Sequence, residues 1–334
     1  MRQKQEELRK KIEQRQQAEN EEWEPSAIKE KGYVLVGEGI LLGRGTFSEV
    51  YQMRRGTTDV AAKVIELENV DESYKEKFLP RQLNIIEQID SKHKNIIAIL
   101  DVFKTSKRVF IMMEYAAKGS IFEYINDNGP VGESQAKKWL VDICKGLNYM
   151  HTNDIAHRNI RTENLLLDVR LNVKLGGFSF TRLCIDPYKG KAVYSATNCG
   201  AAPYYAPEII KGERYDPKAA DTWSTCVVLF IVTNKKYPFD YRDYTVLMTQ
   251  QQQQAWKNKL KVKLSEKLIN LMSKMFDCNF KTRIKIRQIL DDPCLDGIEG
   301  NKLRDRDEVA DIREALKKAF ISEGVESPTP STFV

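Results

Sequence analysis

The stretch "LLGRGTFSEVYQMRRGTTDVAAKVI", residues 41–65, fixes the reading of the chain. Gly43 and Gly45 lie between two strand-like runs, and Lys63 follows 13 residues after Val50 in "VAAKVI". Glycine backbone can fold closely over a phosphate, and a lysine on the next strands can reach the α and β phosphates of a nucleotide. A dinucleotide-binding turn would run straight into a helix, and a Walker loop would end in Gly-Lys-Ser/Thr; neither follows here. Ser48 stands at the third glycine position and is small enough for a tight hairpin.

Outward from this loop the texture is β-type. "YVLVGEGILLG" (33–43), "EVYQMRR" (49–55), "VAAKVIEL" (60–67) and "RVFIMMEYA" (108–116) read as strands of a small antiparallel sheet, interrupted by one helical stretch at 71–89. Past residue 120 helical spacing dominates: 121–127, 133–153, 220–234, 265–276 and 284–292. The fold class expected is α+β, a small β-rich lobe followed by a larger helical lobe. The domain occupies residues 33–297, between a polar extension (1–32) expected to be helical or disordered and a tail (298–334). That tail holds an apolar stripe, Val309, Ile312, Leu316, Ala319 and Phe320, which is expected to dock on the chain itself, and ends in "SPTPSTFV". Gln250–Gln254 is too short a run to mark an aggregation-prone tract and belongs in a helix or loop.

Composition narrows the function classes. An apolar fraction of 42% with 30% charged residues fits a globular protein, and no apolar run approaches the roughly 18 residues of a membrane span. The N-terminus lacks the apolar core of a secretory signal, which predicts a cytoplasmic protein. Six cysteines, none in a C-x-x-C pair, argue against a zinc site or a disulfide framework and for buried thiols. The net charge of +6 is spread along the sequence, which predicts a solvated surface and no nucleic-acid groove.

Further landmarks follow in order: "MMEYAAKGS" (112–120), "HRNIRTENLLL" (157–167), "KLGGFSF" (174–180), "APYYAPEII" (202–210), "DTWS" (221–224) and "KTRIKI" (281–286), whose Arg283 suits pairing with Glu208. Their order is that of protein kinases: hinge, catalytic loop, metal-binding turn, end of the activation segment, and a buried helix anchor. From Tyr33 to about Leu295 the chain resembles the testis-specific serine/threonine kinases, a branch near the calmodulin-dependent kinases. The echoes are "KGY" (31–33), "KFLPR" (77–81), "GFSF" (177–180) and "CGAAPYYAPEIIKGERYDPK" (199–218). Ser179 is therefore a family trait. The resemblance implies an ATP site built from Leu42, Gly43, Gly45, Val50, Ala61, Lys63, Leu166 and the hinge, where Met113 stands at the adenine pocket and Glu114 to Ala116 offer backbone hydrogen bonds. It also implies a sperm-cell setting.

Against that pattern, the departures fall on the chemistry. Asn159 stands where an aspartate accepts the substrate proton, a role worth roughly 10²–10⁴ in rate. Gly177 replaces the aspartate that binds Mg²⁺, leaving Asn164 as a remnant ligand. Gln82 replaces the helix glutamate that pairs with the lysine; shifting the alignment by two puts Asn84 there, and the glutamate is still missing. Arg161 replaces the catalytic-loop lysine, and Ala201 a bridging Ser/Thr. Thr197 matches an activation-segment phosphosite, with Arg158 retained to pair with a phosphate. His157 reads as packing under the loop, and His93 and His151 as satisfied structural residues. The expectation is a pseudokinase with weak, Mg²⁺-independent ATP binding, acting as scaffold or allosteric partner for protein partners, such as an active relative or its substrates. A slow serine/threonine kinase and a structural sperm component are the alternatives.

Overall fold

A computed structural model of the chain describes residues 26–89, 93–186 and 190–298. Residues 1–25 of the extension, the 309–320 stripe and the "SPTPSTFV" end lie outside the described residues. The chain forms two compact units, one of residues up to 71 with 99–115, the other of 72–98 and 116 onward.

The first unit is a six-stranded antiparallel sheet. Strands β1 (Tyr33–Leu35), β2 (Leu41–Arg44), β3 (Glu49–Arg55), β4 (Thr58–Glu66), β5 (Ile99–Lys104) and β6 (Arg108–Glu114) take the order β1-β3-β4-β6-β5, with β2 also on β3. The run read as one strand at 33–43 is two, because Gly37 and Gly39 turn the chain with φ of 62° and 96°. β5 was not foreseen: "ILDVFK" has two charged residues, Asp101 and Lys104, among apolar ones and no clean alternation. Side chains alternate across β4, so Val60, Ala62 and Val64 join Ile28, Tyr33, Met53, Phe110 and Met112 in the core of this unit. Ala61 and Lys63 consequently occupy the opposite face.

The second unit is mainly helical. A π-helical turn, Tyr74–Phe78, leads into helix α2 (Leu79–Gln88), counting α1 as Ser26–Glu30. Helices α3 (Ile121–Asn128), α4 (Glu133–Thr152), α5 (Pro207–Ile210), α6 (Pro217–Asn234), α7 (Tyr244–Gln252), α8 (Glu266–Met275) and α9 (Ile286–Leu290) follow. Serine or aspartate caps account for several starts. Ser120 closes a capping box with Glu123, Asp243 accepts from Thr245 and Val246 N–H, and Ser265 accepts from Leu268 N–H. Helix α6 is buried on nearly every side, from Pro217 to Asn234, with Trp223 packed against Phe239 and Phe276. This helix is the platform for the catalytic loop. Small antiparallel pairs, β8 (Leu165–Leu167) with β9 (Val173–Leu175) and β7 (Ile155–Ala156) with β10 (Arg182–Leu183), frame that loop. The glutamine run ends α7 and the turn after it.

All six cysteines are free thiols, five of them buried. Among the described residues no helix is long and apolar enough to cross a membrane.

Candidate active site

In the first unit, strand pairing collects the phosphate-loop residues. Gly43 pairs with Val50, Val50 with Lys63, and Lys63 with Ile111, while Ala61, two residues before Lys63, pairs with Met113. Val50, Ala61 and Lys63 thus lie together on the face away from the core. Leu42 is in the same short strand, which carries a bulge between Leu41 and Gly43. The loop closes through Gly45 N–H donating to Ser48 C=O at 2.7 Å. A Cβ on Gly45 would come within 3.2 Å of Ser48 Oγ, so both small residues matter to this turn. Burial pushes the Lys63 ammonium down to about 8. Glu114 ends β6, pairing with Val60.

In the second unit, Ala116 accepts from Gly119 N–H at 3.0 Å, and Leu166 is half-buried in β8. The catalytic loop is tied to α6 by a single carboxylate. Asp221, fully buried, accepts from the backbone N–H of His157 (2.9 Å) and of Arg158 (2.7 Å), and meets His151 Nε2 at 2.8 Å. His157 Nδ1 accepts from Asn159 N–H at 3.2 Å, which leaves Nε2–H to donate to Gly176 C=O at 2.7 Å. Burial holds the His157 pKa below its ordinary value, so the ring is a neutral strut under the loop. His93 likewise is structural: its Nδ1 accepts from Asn95 N–H and its ring packs on Tyr149.

Asn159, Asn164 and Gly177 come together. Asn164 Nδ2 donates to Asn159 C=O at 2.8 Å. Gly177 takes a left-handed conformation, φ 74° and ψ 44°, and a Cβ placed there would fall 2.6 Å from Asn164 Nδ2. The Asn164 carboxamide fills the volume that an aspartate at 177 would enter. Arg161 does not project freely: its Nη2 binds Glu163 Oε1 at 2.5 Å, and that pair together with Thr162 holds the Glu163 carboxyl below its ordinary value despite burial. Beside Asn159, a cavity of ≈ 20 Å³ lined by Gly200, Ala201 and Tyr204 lies where a longer side chain at 201 would reach. That volume fits one water.

Mg²⁺ requires hard oxygen ligands in near-octahedral array. One carboxamide oxygen beside a side-chain-free Gly177 does not supply them, and among the described residues no cluster of His, Cys, Asp or Glu is arranged to hold a metal. Gln82 is buried, and its Oε1 accepts from the Tyr74 hydroxyl at 3.3 Å within the helix that packs on the Phe178–Phe180 turn, where Phe78 meets Phe180 edge-on.

The activation segment differs from the sequence reading in detail. Arg158 Nη2 donates to Ser195 Oγ (3.2 Å) and to Thr197 C=O (3.3 Å), so it is the Ser195 side chain, not that of Thr197, that faces the arginine. Arg182 Nη1 also donates to Ser195 Oγ at 3.2 Å. Burial and the neighbouring charges of Arg158 and Arg81 push Arg182 down to about 10. Ser195, Arg182 and Arg81 carry no recognisable spacing and were missed. Further along, Glu208 and Arg283 form the anticipated pair, two parallel bonds of 2.6 and 2.8 Å with both side chains buried.

Comparison with known proteins settles the family. The protein kinase domain family matches residues 38–295. This chain belongs to the protein kinase family. It is 32% identical to testis-specific serine/threonine-protein kinase 2 of Mus musculus, over 79% of this chain and 74% of that protein. Identity to testis-specific serine/threonine-protein kinase 1 of Homo sapiens is 36%, over 64% of this chain and 58% of that one. The human testis-specific serine/threonine-protein kinase 4 is 31% identical over 69% and 73%. Protein kinase domains bind ATP as a class.

Proposed function

We propose that this kinase relative is a pseudokinase, a scaffold or allosteric partner that binds ATP weakly and without help from Mg²⁺. One observation carries the reading: the Asn164 carboxamide lies against Gly177 and is bonded to the Asn159 carbonyl, with neither the base nor the metal carboxylate present. Loss of both touches proton removal and stabilisation of the transferring phosphoryl group, the two terms that dominate this chemistry. Lys63, the glycine loop and the hinge support retained nucleotide contact. The resemblance to testis-specific kinases supports a role in sperm cells, with an active relative or its substrates as partner and the cytoplasm as its place.

The test is calorimetry of the purified protein with ATP, with and without Mg²⁺. The expected result is weak binding that Mg²⁺ leaves unchanged. A tenfold tightening by Mg²⁺, about 1.4 kcal/mol, overturns the reading. The persistence of Lys63 on the same sheet face as Val50 and Ala61 favours a slow kinase as the second reading. Transfer of γ-phosphate by the unmodified protein, abolished by Lys63→Met, would establish it. Absence of any nucleotide binding would leave a purely structural component.

A further inference from the structure

Folding gathers lysines that the sequence scatters. Lys235 and Lys236 follow the end of α6, and Lys259, Lys261 and Lys263 lie in the segment before α8. Asn234, buried at the end of α6, joins the two stretches: its Oδ1 accepts from Lys261 N–H at 2.7 Å while its Nδ2 donates to Phe230 C=O and Thr233 Oγ1. Lys235 adopts a left-handed backbone, φ 50°, as the α6 cap, and its Nζ donates to Asn126 C=O at 3.1 Å. Lys259 Nζ donates to Gln250 Oε1 at 3.0 Å.

Among the described residues none of the five lysines has a carboxylate within ion-pairing distance, whereas Lys31, Lys75, Lys137, Lys218 and Lys274 each have one. Asp240, whose charge reaches Lys259, is itself held by three bonds from Arg242, two from its side chain and one from its backbone N–H. The neighbouring Lys261 ammonium pushes Lys236 below its ordinary value. Like charges so placed repel, and a bridging anion turns that repulsion into attraction.

We propose that Lys236, Lys259, Lys261 and Lys263, with Lys235 at the edge, form a docking surface for an acidic segment of a partner protein. It stands apart from the active-site chemistry and holds whether or not the chain transfers phosphate. All five cations are lysines, point charges that need no bidentate geometry and so suit carboxylates of variable placement. Five charges fall short of the six to ten phosphate contacts that make a strongly salt-dependent duplex binder. Val262, 38% exposed, is the single apolar side chain among the lysines of 259–263 that could enter a bilayer, less than an interfacial anchor needs. Beside Lys236, Tyr237 meets Tyr241 edge-on at 5.0 Å.

The experiment is fluorescence anisotropy of the full chain with a labelled twelve-residue peptide carrying six glutamates. Binding is expected to weaken with salt, to fall at least tenfold in Lys236→Glu/Lys261→Glu, and to fall less in the neutral Lys236→Gln/Lys261→Gln. The charge-reversed variant should gain affinity for the matching six-lysine peptide, with thermal stability unchanged. Three results overturn the proposal: no binding of the acidic peptide, binding indifferent to both variants, or tighter patch-dependent binding to single-stranded DNA or to phosphatidylserine vesicles.

Discussion

The Asn164 carboxamide occupies the space above Gly177, so near that a Cβ at 177 would meet Asn164 Oδ1 at 2.5 Å. Restoring the metal ligand is thus not a matter of one residue. Gly177→Asp must place an L side chain at φ 74° and rotate Asn164 away from the Asn159 carbonyl. Backbone strain of this kind costs about 1–3 kcal/mol. The amide is the end of a short side chain and can swing, so the variant should fold, with a lower melting temperature, and should acquire Mg²⁺-dependent ATP binding in calorimetry.

Asn159→Asp alone should give no measurable transfer, because catalytic groups that act as a unit are strongly non-additive. Activity is expected first in Asn159→Asp/Gly177→Asp, with Gln82→Glu adding to it once the Tyr74 hydroxyl releases the side chain. A radiolabel transfer assay across the three variants checks the order. Robust transfer by the single Asn159→Asp variant would show that the metal site still works.

Nucleotide affinity should depend on pH through Lys63. Its pKa, lowered to about 8 by burial, rises when phosphates approach, so binding takes up protons near pH 8. ATP affinity is therefore expected to fall as pH rises through 8 and to be insensitive to this group well below it. For folding, the unfolded chain binds more protons between about pH 8 and the ordinary lysine value, so the Lys63 contribution to stability rises with pH over that window. Calorimetry in buffers of different ionisation enthalpy, with Lys63→Met as control, reads the proton uptake.

Ser195→Ala removes the hydroxyl that accepts from both Arg158 and Arg182. Leaving such buried donors short of an acceptor costs about 1–3 kcal/mol. Hydrogen exchange across residues 190–205 should speed up in this variant. Phosphate on Thr197 should slow exchange there through Arg158 and alter partner binding without creating activity; exchange unchanged by phosphorylation removes the phospho-switch.

The buried pair of Glu208 and Arg283 is expected to be structural. Arg283 also donates to the carbonyls of Ala219 and Asp277 and lies over the Trp223 ring. Arg283→Ala leaves a buried carboxylate without its partner and should destabilise by about 3–5 kcal/mol in urea unfolding. A loss below 1 kcal/mol would mean that Glu208 finds water or another cation.

Several things about this protein were decided by the sequence alone. Alternation in "VAAKVI" puts Lys63 and Ala61 on one face whatever the rest of the sheet does, because a strand has period two. Asn159 and Gly177 lack carboxylates by their covalent structure, and no fold can restore what the side chain does not contain. The Glu208–Arg283 pair was legible because two marked motifs supplied opposite charges. Tertiary structure decided the rest. Ser195 rather than Thr197 faces Arg158 because backbone bonds between Ser195 and Tyr215, 2.9 Å each way, set which side chain turns inward. Arg81, Arg158 and Arg182 come from three separate stretches, so their mutual charge effect has no local spacing to betray it. The lysines at 235–236 and 259–263 look like scattered surface charge until Asn234 joins their segments. Electrostatic interaction depends on distance in space, and sequence separation says nothing of it once the chain has turned back on itself.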